Sequence, residues 1–356
     1  MDQSPIDILF VTRKWAPAVG GMETWSHQIS AELARHAAVE VVALPGRGDG
    51  RPPRIAALLG FPFTVLRRYR ARAKAPAILH IGDMALWPLG LLARRGRTRV
   101  VLSAHGTDVS YPLRSGWRGK AYGAYMRLGA RLLRGALVTA NSPATAAAAQ
   151  RAGWTRAVVI PLATAVTGTV PESRPEPHVL FVGRLVPLKG CGWFIREVLP
   201  LLPEGTGLHV AGTTIDPAEA ALLNHPRVTY LGTLTGDALA EAYRQARCVV
   251  VPNVILANGQ FEGFGLVAVE AAAAGGVVLA SDCGGIPAAV HDGISGFLVP
   301  PGAPQAWAEA IGRVAAWSGA ERKSFLAGSL AEVDRAYRWP RVAAETLRSY
   351  RQLLEE

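Results

Sequence analysis

The sequence predicts an α/β protein of two Rossmann-like domains, each built on its own parallel sheet. Three observations carry that prediction. At 356 residues the chain is longer than one hydrophobic core usually organises. A strand–loop–helix alternation runs from the N-terminus, lapses near residue 164 and restarts near residue 179. Alternating βα units mean parallel strands, and two runs of them mean two sheets. The charge divides in the same region. Residues 1–175 carry 24 Lys and Arg against 9 Asp and Glu, whereas residues 176–356 carry 14 against 18, so a strongly basic half precedes a mildly acidic one.

In order along the chain, Ile6, Asp7, Ile8, Leu9, Phe10 and Val11 read as a buried strand. Gly20 and Gly21 form a loop after it, and Trp25, Ile29 and Leu33 mark one face of a helix over residues 22–35. Residues 39–44 are the next strand and 46–53 a loop. Further strands are expected at 77–81, 100–105 and 136–139, and residues 158–161 close the first domain. Residues 164–177, rich in Pro, Thr and Glu and without periodicity, read as the linker. The pattern then restarts with a strand at 179–182, a turn at Gly183-Arg184-Leu185 and a helix over 192–202. Strands at 208–211, 228–231, 249–251, 277–280 and 297–299 alternate with helices over 237–245, 266–274 and 304–317. A terminal helix over 341–354 follows Trp339-Pro340.

Composition excludes several classes. Half the residues are apolar and 18% are charged, which is ordinary for a globular chain and far from the disordered class. Cys191, Cys248 and Cys283 are odd in number and lack metal-ligand spacing, so neither a disulfide framework nor a zinc site is expected and a reducing cytoplasm fits. The N-terminus lacks a basic n-region, so no signal peptide is expected. No window reaches the ~18–20 apolar residues of a spanning helix; the longest candidate, 263–280, contains Glu270.

Two segments carry chemistry. In Gly183-Arg184-Leu185-Val186-Pro187-Leu188-Lys189-Gly190, two cations stand just after a strand and just before a helix. That is the carboxyl edge of a parallel sheet, where open α/β folds bind ligands, and Arg with Lys beside a helix start suits a diphosphate. An isolated R-x4-K is otherwise a solvated basic loop. The second segment runs from Phe261-Glu262-Gly263-Phe264-Gly265-Leu266 to Glu270. Its glycines let backbone approach a ligand, and Glu262 on the loop suits sugar hydroxyls, although compensation of a helix macrodipole is an equally simple role. Glu270, inside an alanine-rich apolar stretch, should be partly buried and needs a partner, which ribose hydroxyls would supply.

Glu262 and Glu270 form an E-x7-E pattern. With Gly183-Arg184-Leu185…Lys189-Gly190, Gly20-Gly21-Met22-Glu23, His105-Gly106-Thr107-Asp108, Asn141-Ser142, Gly284-Gly285-Ile286-Pro287 and Asp292-Gly293-Ile294-Ser295-Gly296, the chain resembles the retaining glycosyltransferases of family 4, over nearly its whole length. The resemblance implies the GT-B fold: two Rossmann-like domains facing a central cleft, with a C-terminal helix returning to the N-domain. It places an acceptor-side domain at 1–166, a donor-side domain at 167–338 and the returning helix at 339–356. Arg184 and Lys189 would hold the donor diphosphate, and Glu262 would orient the donor sugar. The amides of Phe264, Gly265 and Leu266 would contact sugar or phosphate, beside Gly183 and Gly263. Glu270 would take the ribose and the backbone at Leu234 would flank the base. Gly20 and Gly21 would close over the phosphate, and His105 would lie near the reacting sugar. Asp83, after a strand in the same half, is a candidate acceptor contact or a helix cap. The implied donor is a nucleotide-diphosphate sugar, with UDP favoured over GDP.

Leaving-phosphate charge can be met by fixed cations, and no Asp-x-Asp occurs in the chain, so neither a metal nor another cofactor is expected. The acceptor is a hydroxyl compound: lipid-linked, glycan or small molecule. Arg67, Arg68, Arg70, Arg72 and Lys74, and Arg94, Arg95, Arg97 and Arg99, each follow apolar residues. They suit peripheral docking on an anionic inner-membrane face, or else simply decorate a solvent face. The runs lack the interleaved aromatics or module of a nucleic-acid binder. A sugar-nucleotide epimerase of the same architecture is the alternative, but it calls for acid/base groups around the anomeric centre rather than E-x7-E.

Overall fold

A computed structural model of the chain describes residues 5–18, 20–47, 53–95, 97–113 and 116–356. It divides into two compact units, one of Met1–Leu162 with Trp339–Glu356 and one of Ala163–Arg338.

The first unit contains β1 (Asp7–Trp15), β2 (Ala38–Pro45), β3 (Ile78–Ile81), β4 (Arg99–Ala104), β5 (Leu137–Ala140) and β6 (Ala157–Val159). They form one parallel sheet in the order β2-β1-β3-β4-β5-β6. Ile8 to Val11 of β1 are fully buried, as expected for an inner strand covered on both faces. The strands that follow β1 leave it on opposite sides, so the order reverses between β1 and β3 and a crevice opens at their carboxyl ends. The terminal helix Trp339–Glu355 belongs to this unit. Its buried Tyr350 bonds His80 Nδ1, and His80 Nε2 bonds Ser103 Oγ at 2.7 Å. Burial first, then the nearby His105, lowers His80 to about 3, so this contact is made by a neutral ring.

The second unit contains β7 (His178–Val182), β8 (Gly207–Ala211), β9 (Val228–Gly232), β10 (Cys248–Val251), β11 (Val278–Ser281) and β12 (Phe297–Val299). The parallel order is β12-β11-β10-β7-β8-β9, the doubly wound Rossmann order, which reverses between β7 and β10. Phe181, Phe194, Val250, Leu279 and Trp307 lie in its core.

Three helical stretches differ from the sequence reading. Residues 191–201 form no regular helix: an α turn at Cys191–Trp193 passes into a π turn at Phe194–Val198 and a 3-10 turn at Leu199–Leu201. Pro200, which has no N–H to donate, stands in the last of these. The helices Ile55–Ala71 and Gly319–Ala336 were not expected. The first encloses Pro62 and presents apolar residues to solvent, which hides its period. The second opens with a Ser318–Glu321 capping box. Of the loop expected at 46–53, residues 48–52 lie outside the described residues. Among the described residues, no helix is long and apolar enough to cross a membrane.

Candidate functional site

In the second unit, the loops after β7 and β10 meet at the point where the strand order reverses. Gly183 and Arg184 follow β7, and the 3-10 turn Pro187–Lys189 carries Lys189. Gly190 ends that turn at φ +73°, and a Cβ there would lie 1.9 Å from the Pro252 carbonyl oxygen. Only glycine permits two loops so close an approach. Across this junction Lys189 Nζ donates to Glu262 Oε2 at 2.6 Å, with the two side chains 16% and 19% exposed. The Glu262 carbonyl accepts the Gly285 N–H at 2.7 Å, so both the side chain and the backbone of Glu262 are anchored.

Burial pushes the Glu262 carboxyl up, but Lys189, the Phe264 N–H and Arg184 outweigh it and hold the group below its ordinary value. Glu270 behaves in the opposite way. It is half-buried in the helix Leu266–Ala273, where burial pushes its carboxyl up to about 7 and Lys189 pulls only partly against this. Glu270 has no hydrogen-bond or ion-pair partner among the described residues, and the same holds for the exposed Arg184. Gly263, Phe264 and Gly265 are buried, and Leu266 begins the helix half-exposed. Gly265 caps that helix at φ +95°, a conformation that favours glycine. Leu234 is half-buried in the loop after β9. The edge thus presents one guanidinium without a contact partner among the described residues, one internal ion pair and one carboxyl that burial raises to about 7. Such a set can take a diphosphate at the cation and hydroxyl groups at the carboxylates.

In the first unit, Gly20 and Gly21 start the helix Gly21–Ala34, whose Thr24 N–H donates to the Gly20 carbonyl. His105 follows β4; its ring Nε2 donates to the Gly82 carbonyl at 3.0 Å, and its ring packs at 73° to that of Trp25 with centroids 4.5 Å apart. Asp83, after β3, is 1% exposed. Its Oδ1 accepts the Ala85 N–H at 2.8 Å and its Oδ2 accepts Arg13 Nε at 2.7 Å. Asp83 and His105 are therefore brought together around Gly82.

Two residues of this edge escaped the sequence reading. Arg13 stands near the end of β1, the same context that singled out Arg184 after β7, and that parallel was the available signal. Asp108 accepts the His105 N–H at 2.9 Å through Oδ1, while its Oδ2 is buried without a partner. Burial pushes the Asp108 carboxyl up, opposed by His105. No pattern in the sequence pointed to it beyond its place after His105.

Comparison with known proteins adds family and fold. Residues 19–164 match the model described as Glycosyltransferase Family 4, and residues 176–316 match that of Glycosyl transferases group 1. Among curated relatives, a D-inositol 3-phosphate glycosyltransferase of Salinispora tropica is 36% identical over 195 residues, covering 50% of this chain and 39% of the relative. One from Mycobacteroides abscessus is 38% identical over 186 residues, covering 49% of this chain and 39% of the relative. The chain thus spans about two-fifths of the length of these relatives. Among solved structures, a sucrose-phosphate synthase from Thermosynechococcus elongatus superposes with TM-score 0.76 at 23% identity, over 98% of this chain and 99% of that one. Anabaena HepE in complex with UDP and glucose gives TM-score 0.70 at 20% identity, over 97% and 99% of the two chains. Likenesses at this identity speak for the fold.

Proposed function

Since the chain belongs to glycosyltransferase family 4 and has the GT-B fold, we propose that it moves a sugar, with retention and without a metal, from a nucleotide-diphosphate sugar to a hydroxyl acceptor. The observation that carries this reading is the Lys189–Glu262 pair at the strand-order reversal, flanked by the unpaired Arg184. Arg184 meets the diphosphate, and Lys189 shares its charge between Glu262 and the leaving phosphate. Glu262, kept ionised, accepts hydrogen bonds from the donor sugar, and Glu270 accepts them from the ribose. The amides of Phe264, Gly265 and Leu266 lie beside them, with Leu234 near the base and Gly183 allowing close approach. In the first unit Gly20 and Gly21 offer helix-start amides to phosphate. UDP is favoured over GDP because the similar HepE structures contain UDP and UDP-glucose.

The acceptor oxygen bonds the anomeric carbon as the bond from that carbon to phosphate oxygen breaks, on one face of the ring. The acceptor proton passes to the departing phosphate, whose developing charge the two cations stabilise. Glu262 is not assigned as a nucleophile, since its carboxylate is committed to Lys189. His105 and Arg13, the latter oriented by Asp83, face the acceptor. The domain roles follow: 1–166 serves the acceptor, 167–338 the donor, and 339–356 supports the acceptor side.

Peripheral contact with an anionic membrane in the cytoplasm completes the reading. Its support is the helix Ile55–Ala71, where Ile55, Leu59 and Phe63 are 76%, 70% and 73% exposed at helical spacing, beside exposed Arg67, Arg68 and Arg70. Arg72 is withdrawn into pairs with Asp7 and Glu40; the side chains of Arg94 and Arg95 lie outside the described residues. The test of the whole proposal is a thermal-shift screen of UDP, GDP, ADP and NAD. A nucleoside diphosphate at about 100 times its dissociation constant should stabilise the fold by ~2.7 kcal/mol. A response to NAD alone would refute the proposal.

A further inference from the structure

A second cationic site lies in the first unit, at the opposite edge of the sheet from His105 and Asp83. A cavity of about 390 Å³ is lined by Arg127, Arg131, Arg134, Arg151, Leu133 and Trp154, among others. Arg127 and Arg131 sit near the end of the helix Trp117–Leu132, and Arg134 lies in the segment that enters β5. Arg151 ends the helix Pro143–Arg151, and Trp154 lies in the segment that enters β6. All of these precede the strands, whereas His105 and Asp83 follow them. The four residues of β5, at ~3.3 Å each, put roughly 13 Å between the two edges.

The charge of this cavity is not balanced within the unit. None of the four arginines has an ion-pair or hydrogen-bond partner among the described residues. Neutralising helix ends is the simplest use for such cations, but two helix C-termini present only about one negative charge between them. An excess of roughly three positive charges remains. A second observation is independent of charge. Trp154 is 2% exposed, and its Nε1–H is buried without an acceptor. The same is true of the Trp87 and Trp339 indoles, so what Trp154 brings to the cavity is the flat apolar wall of its ring. The volume lies within the range of small-molecule sites, ~300–1,000 Å³, and far exceeds the ~30 Å³ of a single water. Ala130, Leu133, Ala136 and Ala152 supply apolar wall between the cations.

We propose that this cavity binds an organic anion carrying two phosphoryl groups beside an apolar moiety, at a site separate from the sugar-transfer machinery. Two phosphoryl groups, each of about −1.5 to −2, match the excess charge, and guanidinium forks suit their oxygens. The inference does not depend on glycosyl transfer. A soluble diphosphate and the phosphoryl headgroup of an anionic lipid share this chemistry, and the test separates them.

Inorganic pyrophosphate is titrated calorimetrically into the full chain at low salt, and into three variants: Arg131→Ala/Arg134→Ala, Trp154→Phe and Arg184→Ala. The double variant should weaken one binding event roughly tenfold or more, while Trp154→Phe, which keeps an aromatic wall, should change it less. Arg184→Ala should leave that event intact. All the arginines changed are exposed, so unchanged circular dichroism is expected to certify the fold. In parallel, phosphatidylcholine vesicles with and without diacylglycerol pyrophosphate, a lipid whose headgroup carries two phosphoryl groups, are sedimented with each protein. Pyrophosphate binding that needs Arg131 and Arg134 supports a soluble ligand; vesicle binding alone with that dependence supports a lipid headgroup. If neither probe binds, or if both bind equally well to the double variant, the proposal is overturned.

Discussion

Replacing Lys189 by Met tests the centre of the site without any substrate. In the native protein the Nζ lies 2.6 Å from Glu262 Oε2, and both side chains are more than four-fifths shielded. Met fills a similar volume but leaves the carboxylate facing the site with the Phe264 N–H and the more distant Arg184. Removing one partner of a fully buried pair costs ~3–5 kcal/mol, and an exposed pair is worth ~0–1 kcal/mol. This pair is largely but not wholly shielded, so a loss of about 2 kcal/mol is expected at pH 7, or roughly 4–8 °C in the unfolding midpoint of a unit this size. The sign of the pH dependence is more diagnostic than the size. Native Glu262 sits below its ordinary value, so its contribution is present above the unfolded carboxylate pKa and is lost as pH falls through the folded one. In the variant, burial acts without the lysine and raises the group, so its charge becomes a penalty that protonation removes. The gap between native and variant midpoints should therefore narrow steadily from pH 7 to pH 4 in scanning fluorimetry. Adding Glu262→Gln to the variant should recover part of the loss at pH 7. A gap that is constant or widens on acidification would refute the reasoning.

Other outcomes follow from the same edges. Arg184→Ala removes an exposed, unpaired side chain and should change stability by no more than ~0.5 kcal/mol while lowering transfer ~10²–10³-fold; full activity in the variant would remove Arg184 from the site. Glu270 is pushed up to about 7 by burial, so the folded state holds its proton while the unfolded chain has released it, and native stability should fall as pH rises from about 4.5 to 7. Glu270→Gln should flatten that decline by ~1–2 kcal/mol, allowing for partial exposure; UDP affinity of the native protein should rise between pH 6 and 8 as Glu270 ionises, and that rise should be absent from the variant in isothermal titrations. Changing Ile55, Leu59 and Phe63 together to Ser should abolish sedimentation with anionic vesicles at low salt while leaving turnover of a soluble acceptor unchanged; sedimentation equal to native would dismiss that helix as the docking face.

What was legible in the sequence was mostly local. The strands of β1, β7, β10 and β11 announce themselves as apolar runs because inner strands of a parallel sheet are covered on both faces. The glycines around Lys189 and Glu262 mark places where backbone must approach backbone. Glu270 was readable as a partly buried carboxyl from its alanine-rich neighbours, and its half-buried place without a partner among the described residues agrees. The helix Gly319–Ala336 had a readable start in Ser318 and Glu321. The helix Ile55–Ala71 had none, because Ile55, Leu59 and Phe63 point outward while Phe61 and Val65 are buried, and Pro62 interrupts the period.

Pairings across the fold were not legible, for a physical reason. Lys189 and Glu262 are 73 residues apart, and their residue types suggested two different ligand groups, phosphate for one and sugar for the other. Sheet topology places the loops after β7 and β10 side by side, so the two charges meet each other. The consequence reaches beyond bookkeeping of contacts, because a lysine already engaged by a carboxylate attracts a diphosphate less than an unpaired cation does. Donor binding must then either share Lys189 or release Glu262 to the sugar hydroxyls. Arg13 and Asp83, 70 residues apart, repeat the arrangement in the first unit, where β1 and β3 are neighbours. In both sheets the strand-order reversal brings a cation and a carboxylate together, and in both the sequence displayed the charges without the pairing.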